Sequence, residues 1–276
     1  MPEASEIIDL SLPIEITNQE FIRPKIKFIS HKKGAKLLCL GGLIDEKYFI
    51  KTVFNFFLYI LGIKKITRDD FPDGKALAWE EVRLGTHAGT HMDAPWHFGP
   101  YSGETPSRTI NQVPLGWCYA DGVVLDMRYK QPSGDIEATD LEKACNKINY
   151  KIKEKDIVLI MTGADKYSFE RRYLFQYPAM TKAATIWLLN QGVKIVGTDS
   201  WGFDAPFKNM ISDYLKSKDK KYLWPGHLLG REKEYCHIEK LVNLDKIPVP
   251  FCFKVACFPV NITGASAGWV RAVAII

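Results

Sequence analysis

The sequence predicts an α/β fold, with a single domain over residues 1–276 that is rich in β-sheet and has few helices. Short apolar runs that open with aspartate, at 121–127 (DGVVLDM) and 156–163 (DIVLIMTG), are typical of buried strands. A helical pattern lies between them, and no fixed-period repeat, low-complexity tract or Ser/Gly-rich linker divides the chain. The composition, 46% hydrophobic and 25% charged, is that of an ordinary globular protein with a sizeable core.

The other elements follow from the same patterns. Thr139 or Asp140 is placed to cap the helix between those two strands, and Gly192 to end a second helix. Pro72-Asp73-Gly74 separates two apolar runs and predicts a hairpin that pairs about 53–66 with 76–86. The remaining predictions are strands at 7–14 (IIDLSLPI), 193–199 (VKIVGTD), 253–260 and 268–276, and helices at 138–148 and 180–192.

The charge pattern argues against a nucleic-acid partner. A formal net charge of +5 is mild for 276 residues. The lysine cluster at 216–221 (KSKDKK) is interrupted by Asp219 and predicts a solvated loop, and no nucleic-acid-binding motif accompanies it.

The N-terminus and the cysteines predict a cytoplasmic protein without a membrane anchor. The opening segment MPEASEIIDLSLPIE has acidic residues and lacks the apolar core of a signal peptide. The most apolar stretch, 53–63, is shorter than the roughly 20 residues that span a bilayer, so we interpret it as a core element or a subunit contact. The six scattered cysteines include no CxxC pair and predict reduced thiols.

Residues 87–100 (HAGTHMDAPWHFGP) concentrate three of the six histidines in one short stretch. Glycine, threonine and proline disfavour a helix here, so we expect an extended segment. At a period of two, His87, Gly89, His91 and Asp93 then share one face, and Gly89 leaves a gap for an ion between the imidazoles. Two imidazoles and a carboxylate are typical ligands of zinc, manganese or iron.

His97 differs from the other two histidines because Pro95 separates it from them. Pro95 is expected to end the strand, which lets His97 return to the same spot from a loop. From there it acts either as a ligand or as a general acid/base, and we favour the second role because its natural pKa of about 6.5 suits proton transfer.

The stretch resembles the signature HxGTHxDxPxH of the metal-dependent cyclase-like hydrolase family, which includes bacterial kynurenine formamidase and isatin hydrolase. Every fixed position matches: His87, Gly89, Thr90, His91, Asp93, Pro95 and His97. The likeness continues in IIDLSLPI, DIVLIMTGA, GVKIVGTDSWGFD and GASAGWVRAVAI, so it spans about residues 7–276. It implies the family's swivelling β/β/α fold and a homodimer or homotetramer.

The resemblance also implies a ligand set, because the family completes its shell with a histidine and a glutamate twelve positions apart. His227 and Glu239 have this spacing. By resemblance, His87, His91 and Asp93 hold a first Zn²⁺ or Mn²⁺, while Asp93, His227 and Glu239 hold a second ion or complete the first shell. His97 is then the proton donor and acceptor. His237 would share a strand face with Glu239, but we rank it below His227 because it lacks the family spacing.

The resemblance and the metal chemistry together predict hydrolysis of an amide-type C–N bond. The substrate is expected to be an aryl formamide such as N-formylkynurenine, which would imply tryptophan catabolism, or a cyclic amide such as isatin. No tryptophan precedes Trp79, whereas the short formamidases carry one near their start, which argues against kynurenine formamidase as the specific activity. The longer chain and the segment WGFDAPF favour the isatin-hydrolase branch, and the sequence does not decide between the two. A metal-dependent lyase or cyclase, a lactone hydrolase and a non-catalytic metal-binding protein are the alternatives.

Aromatic residues near the motif predict a pocket for a planar or aromatic small molecule, although such residues more often form plain core. Asp199 and Asp204 either support a metal-bound imidazole or cap turns, and the sequence leaves both roles open. The candidate pocket residues are Trp96, Phe98, Trp201 and Phe203.

Overall fold

The computed structural model describes residues 6–15, 20, 22–63 and 65–276. The chain divides into two compact units, one formed by residues 1–23 and 85–276 and the other by residues 24–84. A compact unit is not by itself an independently folding domain, so the expectation of a single domain stays a prediction.

The strands and helices of the described residues are as follows. The strands are β1 (Ile7–Asp9), β2 (Lys25–Ile29), β3 (Trp79–Arg83), β4 (His91–Asp93), β5 (Tyr101–Ser102), β6 (Thr105–Pro106), β7 (Tyr119–Asp126), β8 (Asp135–Ile136), β9 (Ile157–Met161), β10 (Ala179–Met180), β11 (Ile195–Thr198), β12 (Cys236–Glu239), β13 (Phe253–Ala256), β14 (Ala267–Trp269) and β15 (Val273–Ile275). The helices are α1 (His31–Gly41), α2 (Phe49–Ile60), α3 (Pro95–Phe98), α4 (Ala138–Lys147), α5 (Lys182–Asn190), α6 (Phe207–Ser217) and α7 (Pro225–Leu229).

The larger unit is built on a mixed sheet in the order β1-β15-β13-β7-β9-β11-β12-β4-β14. Its centre, β7-β9-β11-β12, is parallel, and the strands on either side pair antiparallel. Strand β9 is buried along its whole length, and its side chains alternate between two apolar clusters. A parallel strand that is covered on both faces has this continuous apolar sequence, which confirms the predicted strand.

Most of the elements predicted for this unit are confirmed within a few residues. The strands around 121–127, 193–199 and 253–260 and both helices are present, and the opening strand is shorter than predicted, at Ile7–Asp9. The single strand predicted at 268–276 is wrong, because the chain is interrupted at 270–272 and forms two strands, of which β14 pairs with β4 and β15 pairs with β1 and β13. The N-cap of α4 was predicted as Thr139 or Asp140 but is Glu137, whose backbone N–H donates to the Asp140 carboxylate at 2.8 Å. Thr181 caps α5, and Gly192 follows its end with a φ of 88°.

The smaller unit contradicts the predicted hairpin of 53–66 with 76–86. The apolar run forms helix α2, and β3 pairs instead with β2, which precedes it by about fifty residues. The Pro72-Asp73-Gly74 turn does form, as a short 3-10 segment. None of the residues of α2 is buried, so the run is not a core element. No helix among the described residues is both long and apolar enough to cross a bilayer.

Candidate metal centre

The stretch that contains the histidines is bent where the sequence predicted it to be extended. Residues 86–90 form turns and bends, and only 91–93 are strand. The backbone bends at Gly89, whose φ of 64° lies in the left-handed region that residues with a side chain rarely adopt. A Cβ atom at Gly89 would lie 3.2 Å from Ile14 Cγ1, so both the backbone conformation and the space favour glycine. The turn nevertheless brings His87 back against Asp93.

Strand pairing places four potential metal ligands on one face of the sheet. Strand β4 lies between β12 and β14, and its pairing with β12 sets His237 opposite Asp93 and Glu239 opposite His91. Residues directly opposite each other in an antiparallel pair share a face, as do residues two apart on one strand. His91, Asp93, His237 and Glu239 are all buried there.

Asp93 is the carboxylate that the two groups of potential ligands share. One group is formed by Asp93, His227, His237 and Glu239, and the other by His87, Asp93 and His97, each with ligand atoms within 4.8 Å of one another. His91 Nε2 adjoins both, at 3.3 Å from Asp93 Oδ1 and 3.7 Å from Glu239 Oε2. The structure thus brings together all six predicted site residues and adds His237 to them.

Hydrogen bonds fix which nitrogen each imidazole presents to the cluster. His91 Nδ1 donates to the Gly89 carbonyl at 2.9 Å, and His227 Nδ1 donates to Asp204 Oδ2 at 2.6 Å. Because a carbonyl or a carboxylate only accepts, the proton lies on Nδ1 in both rings, and Nε2 keeps its lone pair. A carboxylate behind a histidine is the usual support of a metal ligand. Asp204 thus supports the imidazole, one of the two roles that the sequence left open, and it also caps the start of α7, because it accepts the backbone N–H groups of Gly226 and His227 at 2.6 and 3.0 Å.

Two buried atoms at the centre of the cluster are unsatisfied. Within the described part of the chain, His91 Nε2 and Asp93 Oδ1 have no hydrogen-bond partner. His87 Nδ1 lies 2.8 Å from Asp93 Oδ1 but outside hydrogen-bonding geometry. Buried polar atoms are rarely left unpaired, and an ion between an imidazole nitrogen and a carboxylate oxygen would satisfy both. The residues present therefore fit a divalent metal.

His237 is fully buried and bonds directly to Asp93, with 2.9 Å between His237 Nε2 and Asp93 Oδ2. Burial lowers the pKa of His237, but hydrogen bonds to Asp93 and Glu239 outweigh it and raise that pKa to about 9. Burial likewise opposes ionisation of Glu239, yet the hydrogen bond from His237 holds the pKa of Glu239 at about 2. His237 could not be preferred from the sequence, because its contact with Asp93 depends on the pairing of β12 with β4.

His97 lies at the mouth of the cluster, where its side chain is 32% exposed. It is on the single turn of α3, which Pro95 begins, and not on an irregular loop as predicted. Its Nε2 is 3.7 Å from Asp93 Oδ2, and its ring centroid is 4.2 Å from that of His87. Burial lowers the pKa of His97 to about 4. This position reaches both the cluster and solvent.

The predicted pocket residues have different environments. Phe98 and Phe203 are 2% and 1% exposed, and Phe203 stacks on the His237 ring with centroids 4.4 Å apart. Their burial leaves little surface for a substrate, so they serve chiefly to hold the imidazoles. Trp201 packs with the buried cluster that contains Tyr173. Trp96 is 44% exposed and is the predicted member most open to a ligand.

Asp199 has the other role that the sequence left open, since it caps a turn. Its carboxylate accepts from the backbone N–H groups of Thr162 and Gly163, both at 2.8 Å. Burial raises the pKa of Asp199 to about 7.

The fold and the cluster define the protein as an α/β protein with a group of histidine and carboxylate residues that could hold a metal ion. The sequence matches the Cyclase family over residues 8–205, and the chain belongs to that family. It is 28% identical to isatin hydrolase from Roseibium aggregatum over 228 residues, which cover 78% of this chain and 80% of the relative. It is 26% identical to kynurenine formamidase from Erythrobacter litoralis, with 77% and 82% covered.

The same fold occurs in a crystal structure of an isatin hydrolase bound to the product analogue thioisatinate. The two superpose with a TM-score of 0.70 at 20% identity, covering 99% of this chain and 92% of the other. This similarity confirms the sheet-rich α/β fold that the resemblance implied.

Proposed function

We propose that the protein is a metal-dependent hydrolase of amide-type C–N bonds, acting on an aryl formamide or a cyclic amide of the isatin type. The observation that carries the proposal is the two groups of potential ligands that share the buried Asp93, with Nε2 of His91 and of His227 directed at them. The family and the two relatives named as amide hydrolases support the same reaction.

The positions of the proposed ligands indicate which ion each of them would bind. His87, His91 and Asp93 would hold one ion, and Asp93, His227 and Glu239 would hold a second ion or complete the shell. Zn²⁺ and Mn²⁺ both suit this mixture of imidazoles and carboxylates. A bound divalent ion supplies hydroxide at neutral pH and polarises the carbonyl that is attacked.

His97 would carry the proton between water and the leaving nitrogen. It lies within 3.7 Å of the shared carboxylate and is a third exposed, so it meets the substrate as well as the cluster. A histidine there can accept a proton during attack and return it to the departing amine. Trp96, exposed beside it, offers a planar face to an aromatic substrate.

The proposal also covers the location of the protein, its oligomeric state and its pathway. All six cysteines are free thiols, which supports a reducing, cytoplasmic location. The exposed apolar helix α2 supports a homodimer or homotetramer. An aryl formamide substrate would place the reaction in tryptophan catabolism, and no nucleic-acid partner is proposed.

Hydrolysis in ¹⁸O-labelled water tests the reaction class. Protein reconstituted with Zn²⁺ or Mn²⁺ is incubated with N-formylkynurenine, isatin and small lactones, and the products are analysed by mass spectrometry. We expect one solvent oxygen in the product of an amide substrate and no turnover after chelation. Turnover without solvent oxygen would indicate a lyase or cyclase, and turnover of lactones alone would refute the amide specificity.

Two variants separate metal binding from proton transfer. We expect His97→Asn to keep most of its metal while kcat falls by roughly 10²–10⁴-fold, the usual contribution of a positioned acid/base. His91→Ala is expected to lose the metal, since it removes a donor from a shell of few protein ligands. Equal loss of metal in both variants would show that His97 is a ligand and not the proton carrier.

A further inference from the structure

We propose that Lys240 is a positioning residue for the metal centre, which it serves by clamping, together with Glu20, the turn that carries His87. The inference rests on the proposed metal site. Lys240 directly follows Glu239 in the chain, yet its side chain turns away from the cluster and toward residues 87–89. It therefore touches ligand-bearing backbone without offering a ligand itself.

Every contact of the Lys240 ammonium is with the protein interior. Its Nζ donates to the His87 carbonyl at 2.8 Å and to both oxygens of Glu20, at 2.7 and 2.9 Å. The ring of Trp201 lies 4.7 Å away and provides a cation–π contact. Lys240 is 2% exposed, which is rare for a lysine and requires such compensation.

Glu20 extends the clamp to the next ligand. Its Oε1 accepts the backbone N–H of Gly89 at 2.8 Å, and the Gly89 carbonyl in turn accepts Nδ1–H of His91. The ion pair thus fixes the carbonyl of His87 and the peptide that orients His91. The turn needs this support because Gly89 has a left-handed conformation and the highest intrinsic backbone freedom.

The main chain of Lys240 is held as firmly as its side chain. Its φ of 60° is a left-handed conformation, which is unfavourable for a residue with a side chain. Its N–H donates to the Ser200 carbonyl at 3.0 Å, and its carbonyl accepts the Thr90 hydroxyl at 2.6 Å. This backbone turn is what sends the side chain to His87 and away from the path of β12. A strained conformation beside a ligand fits a positioning role.

Metal affinity of the Lys240→Met variant tests the proposal. Methionine keeps the length and the apolar stem but leaves the His87 carbonyl and the Glu20 carboxylate without their partner. We expect Zn²⁺ affinity, measured by competition with a chromogenic chelator, to fall about 10- to 100-fold, as for other groups that support ligands. Glu20→Gln, which retains an acceptor for the Gly89 N–H, is expected to weaken binding less.

A matched variant separates positioning from general stability. Lys130→Met removes a second paired ammonium, less buried than that of Lys240, which pairs with Asp140 at 2.7 Å and touches none of the proposed ligands. We expect it to lower the melting temperature but not the metal affinity. Because the clamp acts in part through His87, Lys240→Met in a His87→Ala background is expected to weaken binding less than it does in the wild type.

The outcomes distinguish this inference from the proposed function. If the wild type binds no metal, the proposed function fails and the inference fails with it. If the wild type binds metal and Lys240→Met binds as tightly, only the inference is overturned. An equal loss of affinity in Lys130→Met would also overturn it. If Lys240→Met does not fold, Glu20→Gln decides, and unchanged affinity in that variant refutes the clamp.

Discussion

His227 and His237 both reach Asp93, but they do so in different ways. His237 Nε2 is at hydrogen-bonding distance, 2.9 Å from Asp93 Oδ2, whereas His227 Nε2 is 3.7 Å from both Asp93 Oδ2 and Glu239 Oε1. The second arrangement leaves room for an ion between three donors, and Asp204 fixes the His227 tautomer. We therefore expect His227 to be the better ligand and His237 to be the partner that orients Asp93.

Substitution of the two histidines tests this distinction. We expect His227→Ala to lose the ion held by Asp93 and Glu239, and His237→Asn to retain it with about 10-fold weaker affinity. Metal stoichiometry after dialysis against a weak chelator measures both. The opposite order, with metal lost from the His237 variant and kept by the His227 variant, would exchange their roles.

Site residues that belong to a local motif or a known spacing can be predicted from the sequence. Residues that reach the site only through contacts between distant parts of the chain cannot. His87, His91, Asp93 and His97 lie within eleven positions, and His227 and Glu239 fit a known spacing. Lys240 and Glu20 are 220 positions apart, and nothing in either local sequence marks the pair. The contact exists only because Lys240, which follows β12, and Glu20 both lie beside the turn of the motif.

Asp199 shows how one side chain joins two elements of the sheet. It follows β11, and its carboxylate caps the turn after β9 through Thr162 and Gly163. Its folded-state pKa of about 7 exceeds its ordinary value of 3.8 because the group is buried. The folded protein therefore binds this proton more tightly than the unfolded chain, and the associated stability is lost as the pH rises from about 4 to about 7.

Chemical denaturation of the metal-free protein between pH 5 and 7 tests this linkage. We expect the free energy of unfolding to fall less steeply with pH in Asp199→Asn than in the wild type, even though the variant is less stable throughout. Asp126→Asn is the control, because the hydrogen bond from Arg128 lowers the pKa of Asp126 and moves its contribution below this window. Parallel profiles for the wild type and Asp199→Asn would contradict the raised pKa.

At the scale of elements, the failed hairpin has a physical reason. An apolar run of a dozen residues suits a buried strand and a helix equally, and a turn after it does not decide between them. Here the run has no alternation and forms α2, while β3 finds its partner β2 earlier in the chain. The central strands β7, β9 and β11 could be predicted because each is a short apolar run, whereas β12 carries His237 and Glu239 and has no such pattern.

Within the described part of the chain, the smaller unit carries an exposed apolar surface on helix α2. Helix α2 is apolar and has no buried residue, and Phe49, Ile50 and Ile60 are each about 80% exposed. Soluble monomers rarely expose an apolar patch of this kind, so we expect it to contact another subunit.

Sedimentation at micromolar concentration tests the subunit contact. We expect the wild type to sediment as a dimer or tetramer, and the double variant Phe54→Glu/Phe57→Glu to dissociate because both side chains are more than half exposed on α2. Phe258→Glu changes an exposed phenylalanine outside α2 and should leave the assembly intact. A monomeric wild type would refute the proposed oligomer.

We expect the cluster around Asp93 to bind a divalent metal. Elemental analysis of the purified, reconstituted protein measures this. We expect one or two ions of zinc or manganese per chain in the wild type. Asp93→Ala is expected to bind almost none, because both groups of ligands depend on this carboxylate. A wild type with less than about half an ion per chain would contradict the account, since a closed set of imidazole and carboxylate ligands binds such ions tightly.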